Sequence, residues 1–329
     1  MTASTREDRS LSSSTPADGA AAGVATRPGP AVARIRNGIR ARMTLARSGL
    51  LVALVVGAVL RLIDLGRVGL NSDEAVYAGQ AASMAGNAHF TGIFPVVRAH
   101  PLLVQMIASP LYASGRPDVA GRYIAAAFGL ATIAMVYVLG GVLYRPRVAA
   151  LAALLLAVMP YHVTITRQFL LDGPMTFFTT AALVCMAKAV DTATPRWFVG
   201  AGACLGAAAL CKETGLVLAV AALGFLCVYA RAWRSGRFIM AAAGVALGLT
   251  AAYPLITALS GGGHNGQSYL LWQLTRQPNH GPSFYPVVVG ASVGFVLLAV
   301  AAYGLLIGRT VCWQELLLLS WIGIPLVYF

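Results

Sequence analysis

Apolar runs of roughly 15 to 25 residues recur from about residue 48 to the end of this chain, and each is long enough for a helix crossing a bilayer whose hydrocarbon layer is about 30 Å thick. The runs are continuous rather than alternating, which excludes a transmembrane barrel and leaves helices as the spanning element. Composition agrees. The chain is 58 % hydrophobic and 11 % charged, where a soluble domain carries roughly a quarter charged residues. The expected fold is all-α: a polytopic membrane protein of about nine spans, at 48–66, 121–143, 148–166, 173–190, 197–211, 214–230, 238–259, 286–308 and 313–329.

Residues 1–47 are rich in Ser, Thr, Ala, Gly, Pro and Arg and nearly devoid of large apolar groups, so a disordered basic tail is expected there. Residues 48–329 are expected to form one membrane domain. The first apolar run lacks a small-residue cleavage pattern and reads as an anchor, not a removable signal.

The net charge of +13 does not point to nucleic acid, because its placement is that of a membrane protein. Eight of the 22 arginines lie in the first 47 residues and others in short loops such as Tyr144-Arg145-Pro146-Arg147, as the positive-inside rule and attraction to lipid headgroups require. With the N-terminus cytoplasmic, the stretch 67–120, the turn after Arg167, the turn at Lys212-Glu213 and the loop 260–285 fall outside. Within 67–120, helical pieces are expected at 73–85 and at 101–113, the second lying flat in the interface or re-entrant. Five cysteines without a CxxC pair indicate neither a disulfide framework nor zinc.

In a chain with only 11 acids, carboxylates at the ends of apolar runs stand out. Asp73 and Glu74 follow the first run and Asp172 stands just before the fourth, all on the expected outer face. Each has a plain alternative. Asn71 and Glu74 have capping-box spacing, acids suit a helix's first turn, and Pro174 suits the start of a helix after Asp172. Lys212, one of two lysines, sits in a tight turn where it either tips a hairpin or meets a lipid phosphate. Arg122 and Arg167 either snorkel to the interface or join the same site. His100 opens the 101–113 piece, and His280 and Tyr285 close the outer loop in His280-Gly281-Pro282-Ser283-Phe284-Tyr285-Pro286. No metal-ligand spacing is present.

The order of these pieces carries a resemblance. Asp73-Glu74-Ala75-Val76-Tyr77 is followed by His100-Pro101-Leu102, similar to an "(H/K)PPL" element. Then come Gly121-Arg122-Tyr123, the stretch Arg167 to Asp172, similar to "SRxxxxDxPL", a lysine turn, and His280-x-Pro282-x-x-Tyr285. Over roughly residues 48–310 the chain resembles the polyprenyl-phosphate-sugar-dependent glycosyltransferases of the GT-C superfamily, nearest the protein O-mannosyltransferase and aminoarabinose transferase branches. It departs from the pattern where Leu102 replaces a second proline, Thr166 replaces serine, and Glu213-Thr214-Gly215 replaces Gly-Pro after the lysine. Members also usually continue with further spans, whereas this sequence stops inside an apolar run at Phe329.

The resemblance implies a membrane enzyme that moves a sugar from a polyprenyl-phosphate donor to an acceptor hydroxyl of a protein, lipid or glycan at the outer face, with inversion. It makes Asp73 the catalytic carboxylate, with Glu74 and Asp172 assisting. Lys212, Arg122 and Arg167 would face the donor phosphate, and His100, His280 and Tyr285 would contact substrate. No cofactor is expected, although a divalent cation could join the carboxylates. The competing reading is a transporter or flippase of lipid-linked saccharides. Transporters place ionisable residues near the midplane and show internal repeats, and neither is visible here.

Overall fold

The computed structural model describes residues 30–94, 100–113, 119–229, 235–259, 281, 283–308 and 311–328, with side chains from residue 44 onward. All regular structure among them is helical: α1 Pro30–Leu62, α2 Ser72–Met84, α3 Ala88–Thr91, α4 Leu103–Ala108, α5 Ala120–Leu143, α6 Pro146–Val158, α7 Pro160–Thr166, α8 Asp172–Thr192, α9 Pro195–Cys211, α10 Leu216–Val228, α11 Gly236–Leu259, α12 Phe284–Val293, α13 Phe295–Ile307 and α14 Trp313–Tyr328. By Cα proximity the chain divides into units 1–41 and 42–329; the packing and the site described below belong to the second. Helix begins at Pro30, so residues 30–47, expected in an unstructured tail, join the first helix. Arg and Ala are strong helix formers, and a turn already nucleated in the span extends upstream at little cost.

All nine expected spans fall on helices, but fewer than nine are single crossing rods. Four helices among the described residues are long and apolar enough to cross a membrane: Thr44–Leu62, Ala120–Leu143, Asp172–Thr192 and Gly236–Leu259. Two bent pairs raise the number to at most six, if each pair is one broken span and not a re-entrant loop. The run 148–166, expected as one rod, bends by 63° between α6 and α7, where Pro160 lacks the N–H that would continue the ladder. The run 286–308 bends by 98° between α12 and α13 at Gly294, whose φ of +96° is open to glycine and closed to most other residues. The remaining apolar helices α9, α10 and α14 have 17, 13 and 16 residues, short of the roughly 20 that a perpendicular crossing needs.

Packing follows small residues. α5 lies between α6 and α8, α9 between α8 and α11, and α10 against α14. A Cβ built on Gly140 of α5 would meet the backbone of Ala149, and one on Gly202 of α9 the backbone of Ala242 in α11. Between helices in a membrane, where no hydrophobic force drives association, such close backbone approach supplies the dispersion contacts. Buried Leu139, Leu183, Phe225 and Leu317 hold the middle of the bundle. A second cluster of Tyr77, Ala81, Val104, Tyr112, Phe169, Leu171 and Cys211 gathers α2, α4, the turn before α8 and the end of α9. This cluster is the floor of the site.

Candidate functional site

Helix α2 starts with a capping box: the Asn71 side chain accepts from the Glu74 N–H at 2.9 Å, and Glu74 Oε2 accepts from the Asn71 N–H at 3.1 Å. The same carboxylate also binds Arg122. Glu74 Oε1 accepts from Arg122 Nε at 2.7 Å and from the Phe169 N–H at 2.8 Å, and Oε2 accepts from Arg122 Nη2 at 2.8 Å. That fills the carboxylate's four acceptor positions. Arg122 completes its own set by donating to the carbonyls of Leu65 (2.5 Å), Val68 (2.8 Å) and Gly69 (2.9 Å), which uses all five guanidinium hydrogens. The Glu74 and Arg122 side chains are 1 % and 4 % exposed. Burial alone would raise the Glu74 carboxyl; the Arg122 hydrogen bond, the N–H groups of Phe169 and Asn71 and the Arg122 charge outweigh it and hold the carboxyl below its ordinary 4.5.

This geometry assigns Glu74 and Arg122 differently from the sequence, which puts Glu74 at the reacting centre and Arg122 against a phosphate. With no lone pair and no N–H left over, the pair is instead a latch tying the 65–69 stretch, α2, α5 and the 169 turn together. Asn71 Nδ2 adds a 2.7 Å bond to Gln168 Oε1. Arg167 closes the other side, its two terminal nitrogens donating to the carbonyls of Leu60 (2.5 Å) and Ile63 (2.7 Å). These are orphan acceptors at the negative end of α1, so the terminal nitrogens of Arg167 cap that helix, and its Nε hydrogen has no partner among the described residues.

What the latch leaves open is Asp73. It stands beside Glu74 in the first turn of α2, exposed, with no hydrogen bond or ion pair to another described residue. One helical turn on, buried Tyr77 belongs to the cluster below and meets the ring of His100 edge-on, centroids 5.9 Å apart. His100 Nδ1 lies 2.8 Å from Oε2 of Glu213, which is 2 % exposed. The neighbouring Lys212 donates from Nζ to Asp172 Oδ1 at 2.9 Å, the two side chains being 26 % and 34 % exposed. One helical turn, a ring contact, the His100–Glu213 pair and a peptide bond thus connect Asp73 to Lys212 and Asp172. Residues far apart in sequence share one end of the bundle.

Tyr285 starts α12 with its ring edge-on to Phe284, and α12 packs on α7. His280 lies outside the described residues. Among the described residues no group of three or more His, Cys, Asp or Glu side chains could hold a metal ion.

Three members of this frame escape a reading of the sequence: Glu213, Arg61 and His162. Glu213 looks like part of a turn, although an acid next to the candidate lysine is a usable signal. Arg61 is fully buried, donating from Nε to Thr166 Oγ1 (2.9 Å) and from Nη1 to the carbonyls of Gly57 (3.1 Å) and Ala157 (3.0 Å), with Nη2 2.7 Å from His162 Nδ1. Ala157 is in the last turn of α6, where Pro160 leaves carbonyls without helical partners, so Arg61 pins the bend. A lone arginine at the end of an apolar run is its signal.

Residues 99–257 match the family model for dolichyl-phosphate-mannose-protein mannosyltransferase. Dolichyl-phosphate-mannose–protein mannosyltransferase 1 of Candida albicans is 34 % identical over 122 residues, 34 % of this chain and 14 % of that protein. Its counterpart in Saccharomyces cerevisiae is 28 % identical over 223 residues, 59 % of this chain and 26 % of that protein. The chain thus spans about a quarter or less of these curated relatives. The crystal structure of ArnT from Cupriavidus metallidurans bound to undecaprenyl phosphate superposes with a TM-score of 0.68 at 20 % identity, over 87 % of this chain and 55 % of ArnT. Over residues 99–257 the sequence is thus similar to the dolichyl-phosphate-mannose-protein mannosyltransferases, and the fold is that of ArnT.

Proposed function

We propose that this protein transfers a sugar from a polyprenyl-phosphate donor to an acceptor hydroxyl, and that the reaction takes place at the external face of the membrane. The observation that carries the reading is the contrast between adjacent acids. Glu74 is saturated and buried, while Asp73 is exposed, without a partner among the described residues, and one turn from Tyr77, whose ring meets that of His100. An enzyme that needs one free carboxylate held rigidly at a bilayer edge gains from such a neighbour.

In the proposed reaction Asp73 accepts the proton of the acceptor hydroxyl as its oxygen bonds to the anomeric carbon. The bond from that carbon to the phosphate oxygen breaks, and the polyprenyl phosphate leaves with the electron pair. General-base help of this kind is worth roughly 10²–10⁴-fold. A single displacement inverts the anomeric centre. The leaving phosphate gains charge, and Lys212 is a cation held close to the acids without being buried. In the free protein Asp172 neutralises it, so donor phosphate and Asp172 compete for Nζ. The relatives support the same reading: the curated ones are named for dolichyl-phosphate-mannose and protein, and ArnT was crystallised with undecaprenyl phosphate. The transport alternative is not favoured by these relatives.

The test is transfer of labelled sugar from polyprenyl-phosphate donors by membranes containing matched amounts of wild type and Asp73→Asn. A loss of about a hundredfold or more with the fold intact supports the assignment. Equal transfer removes Asp73 from the mechanism.

A further inference from the structure

The end of α1 carries a pocket that the proposed reaction does not use. It is open, with a volume of about 300 Å³, and its walls include Val59, Ile63, Asp64, Arg67, Val68 and Arg167. It sits where the candidate span Thr44–Leu62 ends, at the depth where hydrocarbon gives way to headgroups.

Its two halves differ in chemistry. Below, Val59 and Ile63 are 48 % and 56 % exposed, and the same face of α1 continues downward through exposed Val55 and Val52. This is a track for an acyl chain, since residues 52, 55, 59 and 63 follow the helical repeat. Above stand three charged groups. The exposed side chains of Arg67 and Asp64 make no hydrogen bond or ion pair with another described residue. Arg167 directs its terminal nitrogens at the end of α1 but keeps its Nε hydrogen uncommitted among the described residues.

Two cations alone would suit any phosphate. Asp64 narrows the choice: its carboxylate opposes a purely anionic headgroup and offers an acceptor to an ammonium that carries N–H. We infer that this pocket binds a membrane phospholipid whose headgroup joins a phosphate to a primary ammonium, as in phosphatidylethanolamine. Phosphate meets Arg67 and the open N–H of Arg167 in charge-assisted hydrogen bonds, ammonium meets Asp64, and an acyl chain lies along Val59, Val55 and Val52. Phosphatidylcholine has no ammonium N–H to donate, and phosphatidylglycerol brings no cation to Asp64. This inference rests on the membrane reading alone and not on glycosyl transfer.

The test is native mass spectrometry of the delipidated full chain in detergent, titrated separately with phosphatidylethanolamine, phosphatidylcholine and phosphatidylglycerol of identical acyl chains, and with free phosphoethanolamine. Retention of phosphatidylethanolamine about tenfold above the other two lipids is expected, as one charge-assisted bond is worth about that factor. Arg67→Gln lowers its retention by a similar factor. Asp64→Asn abolishes the preference over phosphatidylcholine, and the backbone is unaffected because Asn tolerates the φ of +53° that Asp64 adopts. Equal retention of the three lipids overturns the inference, as does a preference for phosphatidylglycerol or unchanged binding in Arg67→Gln. Equal binding of free phosphoethanolamine overturns the role given to the apolar track.

Discussion

Replacing Glu74 by glutamine tests the latch, and the structure sets how large the effect is. Gln has the same shape but keeps one acceptor oxygen, and its amide nitrogen turns two hydrogens toward N–H groups that Glu74 now accepts. The Arg122 guanidinium, 4 % exposed, loses its only carboxylate partner among the described residues. Breaking a buried pair by removing one partner costs about 3–5 kcal/mol, a large share of the roughly 5–15 kcal/mol typical of a folded protein. The assay is thermal denaturation of detergent-solubilised protein followed by size-exclusion profile. Glu74→Gln is expected to melt well below wild type. Glu74→Leu combined with Arg122→Met should recover part of the loss, because removing both buried charges is less damaging than stranding one. Acid adds a second readout. A carboxyl held below 4.5 contributes its stability fully above that value and loses it as pH falls through the lower folded value. Wild type should therefore lose melting temperature below about pH 4.5, and Glu74→Gln should lack that component of the decline. A melting temperature for Glu74→Gln equal to wild type at neutral pH would refute the reasoning outright.

Asp73→Asn should leave the melting temperature unchanged, because the side chain is exposed and without a partner among the described residues, while transfer drops about a hundredfold or more; a matching loss of stability would assign Asp73 to the frame instead. Lys212→Gln breaks a pair that is partly exposed, so stability should change by at most about 1 kcal/mol, whereas KM for the polyprenyl-phosphate donor should rise at least about tenfold; an unchanged donor KM removes Lys212 from phosphate binding. Arg61→Ala strands the Ala157 carbonyl and His162 inside the bend and should destabilise by about 2–4 kcal/mol, read as lowered melting temperature; wild-type stability would show that Pro160 alone sets the bend. Gly202→Ala places a methyl against the Ala242 backbone and should cost about 1–3 kcal/mol through overpacking, with Gly244→Ala in the same α11 region, where a Cβ meets open space, as the neutral control.

The helices were legible because hydropathy is a local property: the first span, and those at 120–143, 172–192 and 236–259, can be read from residues that never meet. The acids at the ends of the runs were legible for a related reason, since a carboxylate in so apolar a chain has few places to lie. Only the family resemblance separated Asp73 from Glu74; the local chemistry of the sequence did not. Both sit in one turn with the same charge, and only the arrival of Arg122 and Phe169, 48 and 95 positions away, decides that one is saturated and the other free. The partnership of His100 with Glu213 was equally hidden, because a turn acid has no local sign of what packs on it from 113 residues away. The bends at Pro160 and Gly294 were marked by the residue types that permit them. Their angles, and the burial of Arg61 that holds one of them, come from packing. Local chemistry thus determined which segments are apolar enough to enter a membrane and which groups stay at their ends, while tertiary contact alone decided which charges are bound into the frame and which carboxylate keeps no partner among the described residues, since saturation of a carboxylate depends on where distant N–H groups are placed.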